Sequence, residues 1–591
     1  MQKKAYLILA LALSTYCATA QTTYIPTGSD DYHLLDRLET RSGRLCDSLN
    51  LSDKLESRRN AVHFVESMQA WAGDTSRKNP FSKIDLFNMR MLVGENGEWT
   101  ADENGFIKGK HTLWGKIYKD RYNFGLVKTK DFFLVINPVL NLVSTQESNS
   151  GTGSASVKGL SGYHLLNTHD IEFRGWFGKK IGFYTMLTDN LESLPGYVYN
   201  YALKDGKHMA VPGADYFFIP KSRGSSFDYF NASGYIDFAA VKDKVSVTFG
   251  SGKNFIGDGA TSLFLSDFSS NMTFLKLRAR IWKLNYESLY LQLTEQYNKL
   301  AGDQLYARKY ATMHYISLNA RPWLNISYFE SIVFDRTNGY EISYLNPVAF
   351  TLAANNANGS SDKSLIGWSF KAIAAKHVQF YGQFMLNEFK ASELLAGKGW
   401  YGNKYGYQLG GKYFDALGIK NLDLQAEVDM VRPYAYSAKD TVANYTNFNQ
   451  PLADPLGSGF VKMIGIARYA PAKNLTITLK GMYYAHGVDT GNANYGNDVF
   501  KVYTENRPKD YGIKTVNGPK SQVTSISLNI TYQASRNVFI DAGTVYRKFD
   551  NASKVYGGYS SVGYDPSGPL TTSYVYLGFR MNAPRRDYTF F

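Results

Sequence analysis

The chain has 591 residues, a formal net charge of +14, 44% hydrophobic and 15% aromatic residues (45 Tyr, 36 Phe, 8 Trp), 52 Gly, 17 Pro and two Cys. Beyond the first twenty residues no apolar run approaches the roughly 20 residues a membrane-spanning helix requires, which excludes a helical membrane protein. A basic balance often accompanies nucleic-acid binding, but no nucleic-acid motif is present and the N-terminus directs the chain away from that compartment.

That N-terminus carries Lys3 and Lys4, an apolar run from Ala5 to Leu13, and Ala18-Thr19-Ala20 before Gln21. The order of charge, grease and small residues predicts a secretory signal peptide over residues 1–20, cut after Ala20. Cys17 invites a lipoprotein reading, but the bulky Tyr16 directly before it fits lipidation poorly. Loss of Lys3 and Lys4, with no acid in the leader, leaves +12 on the mature chain. Only Cys46 remains, so no intramolecular disulfide can form.

Residues 21–125 are predicted to form a small periplasmic helical region. Ser29 can cap a helix with Asp30 and Asp31 in its first turn; Leu34, Leu35 and Leu38 share a face, and Gly43 stops it. In a second helix Ala61, Val62, Val65 and Met68 recur at helical spacing, with Arg58, Arg59 and Glu66 as the polar side.

From about Asp131 the hydrophobic period becomes two, and residues 126–591 are predicted to form an all-β transmembrane barrel. Val378, Phe380, Gly382, Phe384 and Leu386 fall on one face of a strand, with Gln379, Tyr381, Gln383, Met385 and Asn387 on the other. The split recurs in 422–430, 475–480 and 525–531. A soluble β-sandwich would alternate as well; turn asymmetry separates the two. Short links fall near Lys179, Asp243, Lys283, Arg321, Lys376, Lys420, Ala472 and Arg536, with long polar loops between them at 190–233, 335–363, 432–457 and 487–521. Short turns on one side and long loops on the other is the outer-membrane layout. Eight short links, an opening strand near 132–143 and a closing one near 572–580 give about eighteen strands, with both termini periplasmic. The aromatic end Tyr588-Thr589-Phe590-Phe591 resembles the C-terminal signal read by barrel-insertion machinery.

For chemistry the sequence offers no His-Glu-x-x-His metal motif, no Gly-x-Ser-x-Gly elbow and no cofactor fingerprint. Gly250-Ser251-Gly252-Lys253 lacks the first Gly of a phosphate loop, and Asn254 stands where Ser or Thr would hold magnesium, so it reads as a glycine-rich turn. His164, His169, His314, His377 and His486 are scattered over separate strand regions; a triad could assemble in space, but nothing in the sequence selects one. The stronger signal is sugar binding, which uses aromatic rings for C–H faces and Arg, Asp, Glu and Asn for hydroxyls and acids. Arg432, Tyr434, Tyr436 and Tyr445 in one external segment, and Trp400 and Tyr401 in another, are the candidate glycan-binding residues, against the alternative of an interfacial aromatic belt. Lys276, Arg278, Arg280, Asp423, Glu427 and Asp429 fall on polar strand faces and are assigned to the lumen, where ion pairing is the plain reading.

Several segments resemble capsule-assembly Wzi-type outer-membrane proteins and, more narrowly, their gliding-motility RemB-type branch. They are Gly250 to Leu277 with Ser262-Leu263-Phe264-Leu265-Ser266-Asp267, Phe329-Glu330-Ser331, Tyr344-Leu345-Asn346-Pro347, Tyr381-Gly382-Gln383, Asn387-Glu388-Phe389, Arg432-Pro433-Tyr434 with Tyr436, and Pro451-Leu452-Ala453 with Pro455-Leu456-Gly457. Tyr32 to Leu38, with Arg58, resembles that family's helical start. The resemblance implies an eighteen-stranded barrel and a non-enzymatic, lectin-like protein that holds surface or capsular polysaccharide, with lipopolysaccharide, outer-membrane lipid and motility or secretion proteins as further partners. One departure is Asp454, where the family pattern has His. A porin-type diffusion channel is the alternative function, and an outer-membrane hydrolase would require an acid, base and nucleophile cluster that the sequence does not reveal.

Overall fold

A computed structural model of the chain describes residues 22–101, 122–151, 161–178, 180–203, 209–220, 226–241, 244–299, 305–336, 339–347, 351–358, 362–490, 492–551 and 569–589. The expected signal peptide, the turn residues Lys179 and Asp243, and Phe590 and Phe591 lie outside them.

Three helices come first: α1 (Asp31–Ser42), α2 (Arg58–Gly73) and α3 (Lys83–Glu95). Ser29 Oγ accepts the Asp31 amide at 3.2 Å, and Gly43 ends α1 at φ 78°, a conformation that costs glycine little. Helix α3, absent from the sequence expectations, starts with a reciprocal capping box between Ser82 and Asp85. Leu34, Leu35, Leu38, Ala61, Val62, Val65, Met68 and Met89 form its shared apolar core. The expected polar side of α2 is only half correct. Arg58 and Arg59 are buried, and Arg58 donates to Tyr24 O at 3.1 Å and Asn96 Oδ1 at 2.8 Å.

The strands are β1 (Phe132–Gly151), β2 (Gly162–Phe177), β3 (Ile181–Ser193), β4 (Ser226–Val241), β5 (Val245–Gly252), β6 (Met272–Ile281), β7 (Leu284–Lys299), β8 (Tyr306–Arg321) and β9 (Leu324–Phe334). The second half comprises β10 (Lys363–Ala374), β11 (Val378–Glu388), β12 (Lys404–Tyr413), β13 (Leu422–Val431), β14 (Phe460–Ala472), β15 (Leu475–Gly487), β16 (Lys520–Ser535), β17 (Val538–Asn551) and β18 (Leu570–Met581). Each pairs antiparallel with its neighbours, and β1 closes the ring on β18 from Leu140↔Met581 to Gly151↔Leu570. The result is a closed barrel of 18 strands. A further short strand, Gly125–Lys128, pairs with the start of β1 at Gly125↔Ile136.

The direction of the alternation separates this barrel from a soluble sandwich. On β11, Phe380 and Phe384 are 51% and 40% exposed, whereas Gln379 and Gln383 are 0% and 4% exposed. Leu479, Ile526 and Ile530 are likewise exposed while Ser525 and Asn529 are buried. An apolar outer belt around a polar interior is stable only when hydrocarbon surrounds it, so this is an outer-membrane β-barrel. Trp282 and Trp323 stand exposed at the short turns, where amphipathic rings suit the membrane–water boundary.

Candidate functional site

The helices cap the short-turn end of the barrel from within. Arg37 of α1 pairs with Asp85 at 2.7 Å, Asp415 at 2.6 Å and Asp423 at 2.5 Å. Arg536, in the β16–β17 turn, holds Asp31 and Glu95, each at 2.7 Å. The assigned lumen charges take part in the same closure. Lys276 meets Glu287 at 3.0 Å and Asp53 at 3.6 Å; Arg278 meets the same two acids at 2.9 and 3.0 Å. Arg280 donates to Ser48 O at 2.6 Å. Wall charges are thus matched by the N-terminal segment, as the desolvation cost of buried ions demands.

The long-loop end closes by loops that fold inward. Loop 253–271 descends far enough for Lys54 N to reach Phe255 O at 2.9 Å and Gly257 N to reach Ser52 O at 2.7 Å. Gly259 lies tight against the wall: a Cβ there would come within 2.5 Å of Glu427 Oε2. Glu427 accepts the Ala260 amide and the Tyr381 hydroxyl at 2.8 and 2.7 Å. Asp429 lies 3.1 Å from Lys462, which also pairs with Asp454, so the Asp at 454 balances a buried lysine. Lys309 and Lys363 hold loop 432–459 by donating to its carbonyls, Lys309 to Val442 O and Asn444 O at 2.9 Å and Lys363 to Ala435 O and Ser437 O at 2.7 and 2.6 Å.

This packing relocates four of the six glycan candidates. Arg432, Tyr434, Tyr436 and Tyr445 are buried, not projecting from a loop. Arg432 spends its guanidinium on the carbonyls of Asn403, Trp400 and Ile513 at 2.9 to 3.3 Å, stapling two loops to the wall. The Tyr434 hydroxyl donates to Asn494 O, Tyr436 to Leu263 O and Tyr445 to Phe264 O, each at 2.8 Å. Tyr436 and Tyr445 stack on each other at 5.5 Å. Their aromatic mass fills the inner knot, and no sugar face can reach it without unpacking the loops.

Trp400 and Tyr401 stay half-buried on the outer rim, edge to face at 5.4 Å. Arg507, which the sequence reading missed, lies 3.5 Å over the Tyr401 ring, and Lys390 lies 5.8 Å from Trp400. Lys398, Lys509, Tyr511 and Lys514 are exposed around them. Segments 398–401 and 510–513 are joined by Tyr401 N→Asp510 O, Gly512 N→Lys398 O and Ile513 N→Gly399 O. The result is a rigid aromatic and basic shelf, suited to stacking on pyranose rings and pairing with acidic groups.

Between the helices and the wall lies a cavity of about 800 Å³. The C-terminal tail runs along it. After β18 ends at Met581 the chain turns back up the lumen, where Asp587 meets Lys480 at 2.8 Å, Arg586 meets the Tyr229 hydroxyl at 3.1 Å, and Tyr588 contacts Glu192. Tyr588 and Thr589 therefore belong to the lumen filling and not to the final strand.

No protein-family model matches the chain, and no curated protein matches it. Among solved structures it is similar to Wzi, described as an outer-membrane protein involved in group 1 capsule assembly in Escherichia coli and a carbohydrate-binding β-barrel. The TM-score is 0.51 at 12% identity, over 95% of this chain and 99% of Wzi. The likeness is one of fold: an eighteen-strand outer-membrane barrel. OprD from Pseudomonas aeruginosa matches with TM-score 0.39 at 10% identity, over 76% of this chain and 95% of OprD. A BenF-like porin from Pseudomonas fluorescens matches with TM-score 0.40 at 8% identity, over 76% and 98%.

Proposed function

We propose that this protein binds surface or capsular polysaccharide at its outer rim and does not serve as a conduit. The observation that carries the reading is the filling of the lumen from both ends, by α1–α3 below and by loops 253–271 and 432–459 above. A diffusion channel needs a continuous wet path, whereas a binder needs a rigid outer surface. The shelf of Trp400, Tyr401, Arg507 and Tyr511, with its surrounding lysines, supplies that surface and favours acidic sugars. The fold shared with a carbohydrate-binding barrel agrees with this assignment. Membership of the RemB-like branch, with coupling to gliding or secretion machinery, is the finer form of the same proposal. It includes contact with lipopolysaccharide and with the insertion machinery. The rival channel reading draws on the cavity of about 800 Å³, which reaches Lys473 and Asn537 at the short-turn end.

The test is to present the purified, folded barrel to polysaccharides extracted from its own cell surface, alongside neutral glucans. Retention of an acidic polysaccharide is expected. Binding to none of them would remove the proposal.

A further inference from the structure

The inner face of β7–β9 packs on the inward loops, as the stacking of Phe329 on Phe264 at 4.7 Å shows. Because side chains alternate, Ser288, His314 and Glu330 must point the other way, toward lipid. Register puts them in one row: Ser288 is opposite His314, and His314 is opposite Glu330. The His314 Nδ1 lies 2.9 Å from Glu330 Oε1. This contact fixes the tautomer that carries the proton on Nδ1 and leaves the Nε2 lone pair free. His314 Nε2 is buried and has no hydrogen-bond partner among the described residues. Directly opposed residues have Cβ atoms about 4.5 to 5.5 Å apart, which sets the Ser288 and His314 side chains next to each other; Ser288 Oγ donates to the Tyr290 hydroxyl at 3.1 Å, and the triad requires it to turn to Nε2 instead. Glu330 stands seven residues from the boundary residue Trp323, roughly 23 Å along a tilted strand, which is outer-leaflet depth.

Hydrocarbon does not touch this row. Residues 340–347 and 351–358 fold down over the outside of the wall. Thr351 N donates to Glu330 Oε1 at 2.8 Å, the Tyr290 hydroxyl to Leu345 O at 2.9 Å, and Tyr340 contacts Thr312 and Ala311 O. The outward surface of this cover is apolar, with Ile342 80% exposed and Leu345 and Leu352 also exposed. An ionisable pair at membrane depth is costly and marks function more often than structure.

We propose that Ser288, His314 and Glu330 form an acyl-ester hydrolase triad on the lipid-facing wall, acting on an ester-linked membrane lipid that enters laterally when the cover lifts. Ser288 Oγ bonds to the acyl carbon as its proton passes to His314 Nε2. The ester C–O bond then breaks, and the alcohol leaves with that proton. Water, deprotonated by the same nitrogen, attacks the acyl-serine and releases the fatty acid, restoring Ser288. Glu330 holds the imidazole and offsets its charge.

The test uses the full chain in vesicles of phosphatidylethanolamine with a fluorogenic diacyl phospholipid, together with labelling by a long-chain sulfonyl fluoride. The expected result is fatty-acid release and a single label on Ser288. S288A abolishes both, and H314N lowers the rate by about 100-fold or more. Y340F, which loosens the cover, raises the rate. A heat-dependent gel shift confirms that each variant is folded. Absence of label and of release in both the parent and Y340F would overturn the proposal, as would activity that survives in S288A.

Discussion

Arg37 of the first helix and Asp423 of the barrel wall face each other with 2.5 Å between Nη1 and Oδ1, joining chain segments almost four hundred residues apart. Arg37 also serves Asp85 and Asp415, so one guanidinium answers three buried carboxylates. Arg37→Met removes the one cation that those three acids share, and loss of one member of a buried ionic cluster costs about 3–5 kcal/mol. The expected outcome is an earlier loss of the heat-resistant gel form, with protease nicking of residues 22–101 before any cut in the barrel.

The same interface predicts a pH dependence. Burial pushes the Glu95 carboxyl up, but Arg536 and Arg58 overcome this and hold it well below the usual carboxylate range. A carboxyl depressed in the folded state stabilises fully above its unfolded value, about 4.3, and the contribution fades as pH falls below it. Protease sensitivity of the helices is therefore expected to be flat from pH 8 to 5 and to rise below about pH 4. Glu95→Gln should make that rise smaller while raising sensitivity at neutral pH.

Rim and knot separate by mutation. Trp400→Ala with Arg507→Ala removes half-buried rim contacts worth about 1 kcal/mol each to the ligand, so polysaccharide affinity should fall about tenfold or more with outer-membrane abundance retained. Tyr436→Ala instead empties a fully buried site in the knot and should cost about 3–5 kcal/mol, seen as reduced outer-membrane abundance. Equal loss of binding from both, at matched abundance, would contradict this division.

Strand number, turn asymmetry and the direction of the β11 faces were legible in the sequence because a two-residue period is a local property. The inward course of loops 253–271 and 432–459 was not. Tyr434 and Tyr436 carry the composition of a sugar-binding loop, and only long-range partners such as Leu263 O and Asn494 O reveal them as packing. Arg507 went unnoticed for the same reason: its ring partner Tyr401 lies a hundred residues earlier. His314 was one of five scattered histidines until register set it between Ser288 and Glu330. Helix α3 did leave a local trace in Ser82 and Asp85.

The most direct test of the account is single-channel recording of the full chain reconstituted in planar bilayers. With helices Asp31–Glu95 below, inward loops above and the 582–589 tail between them, the barrel is predicted to insert and remain electrically silent in the absence of ligand. Steady, porin-like conductance steps from the intact protein would show an open path through the lumen and contradict the closed, polysaccharide-binding reading.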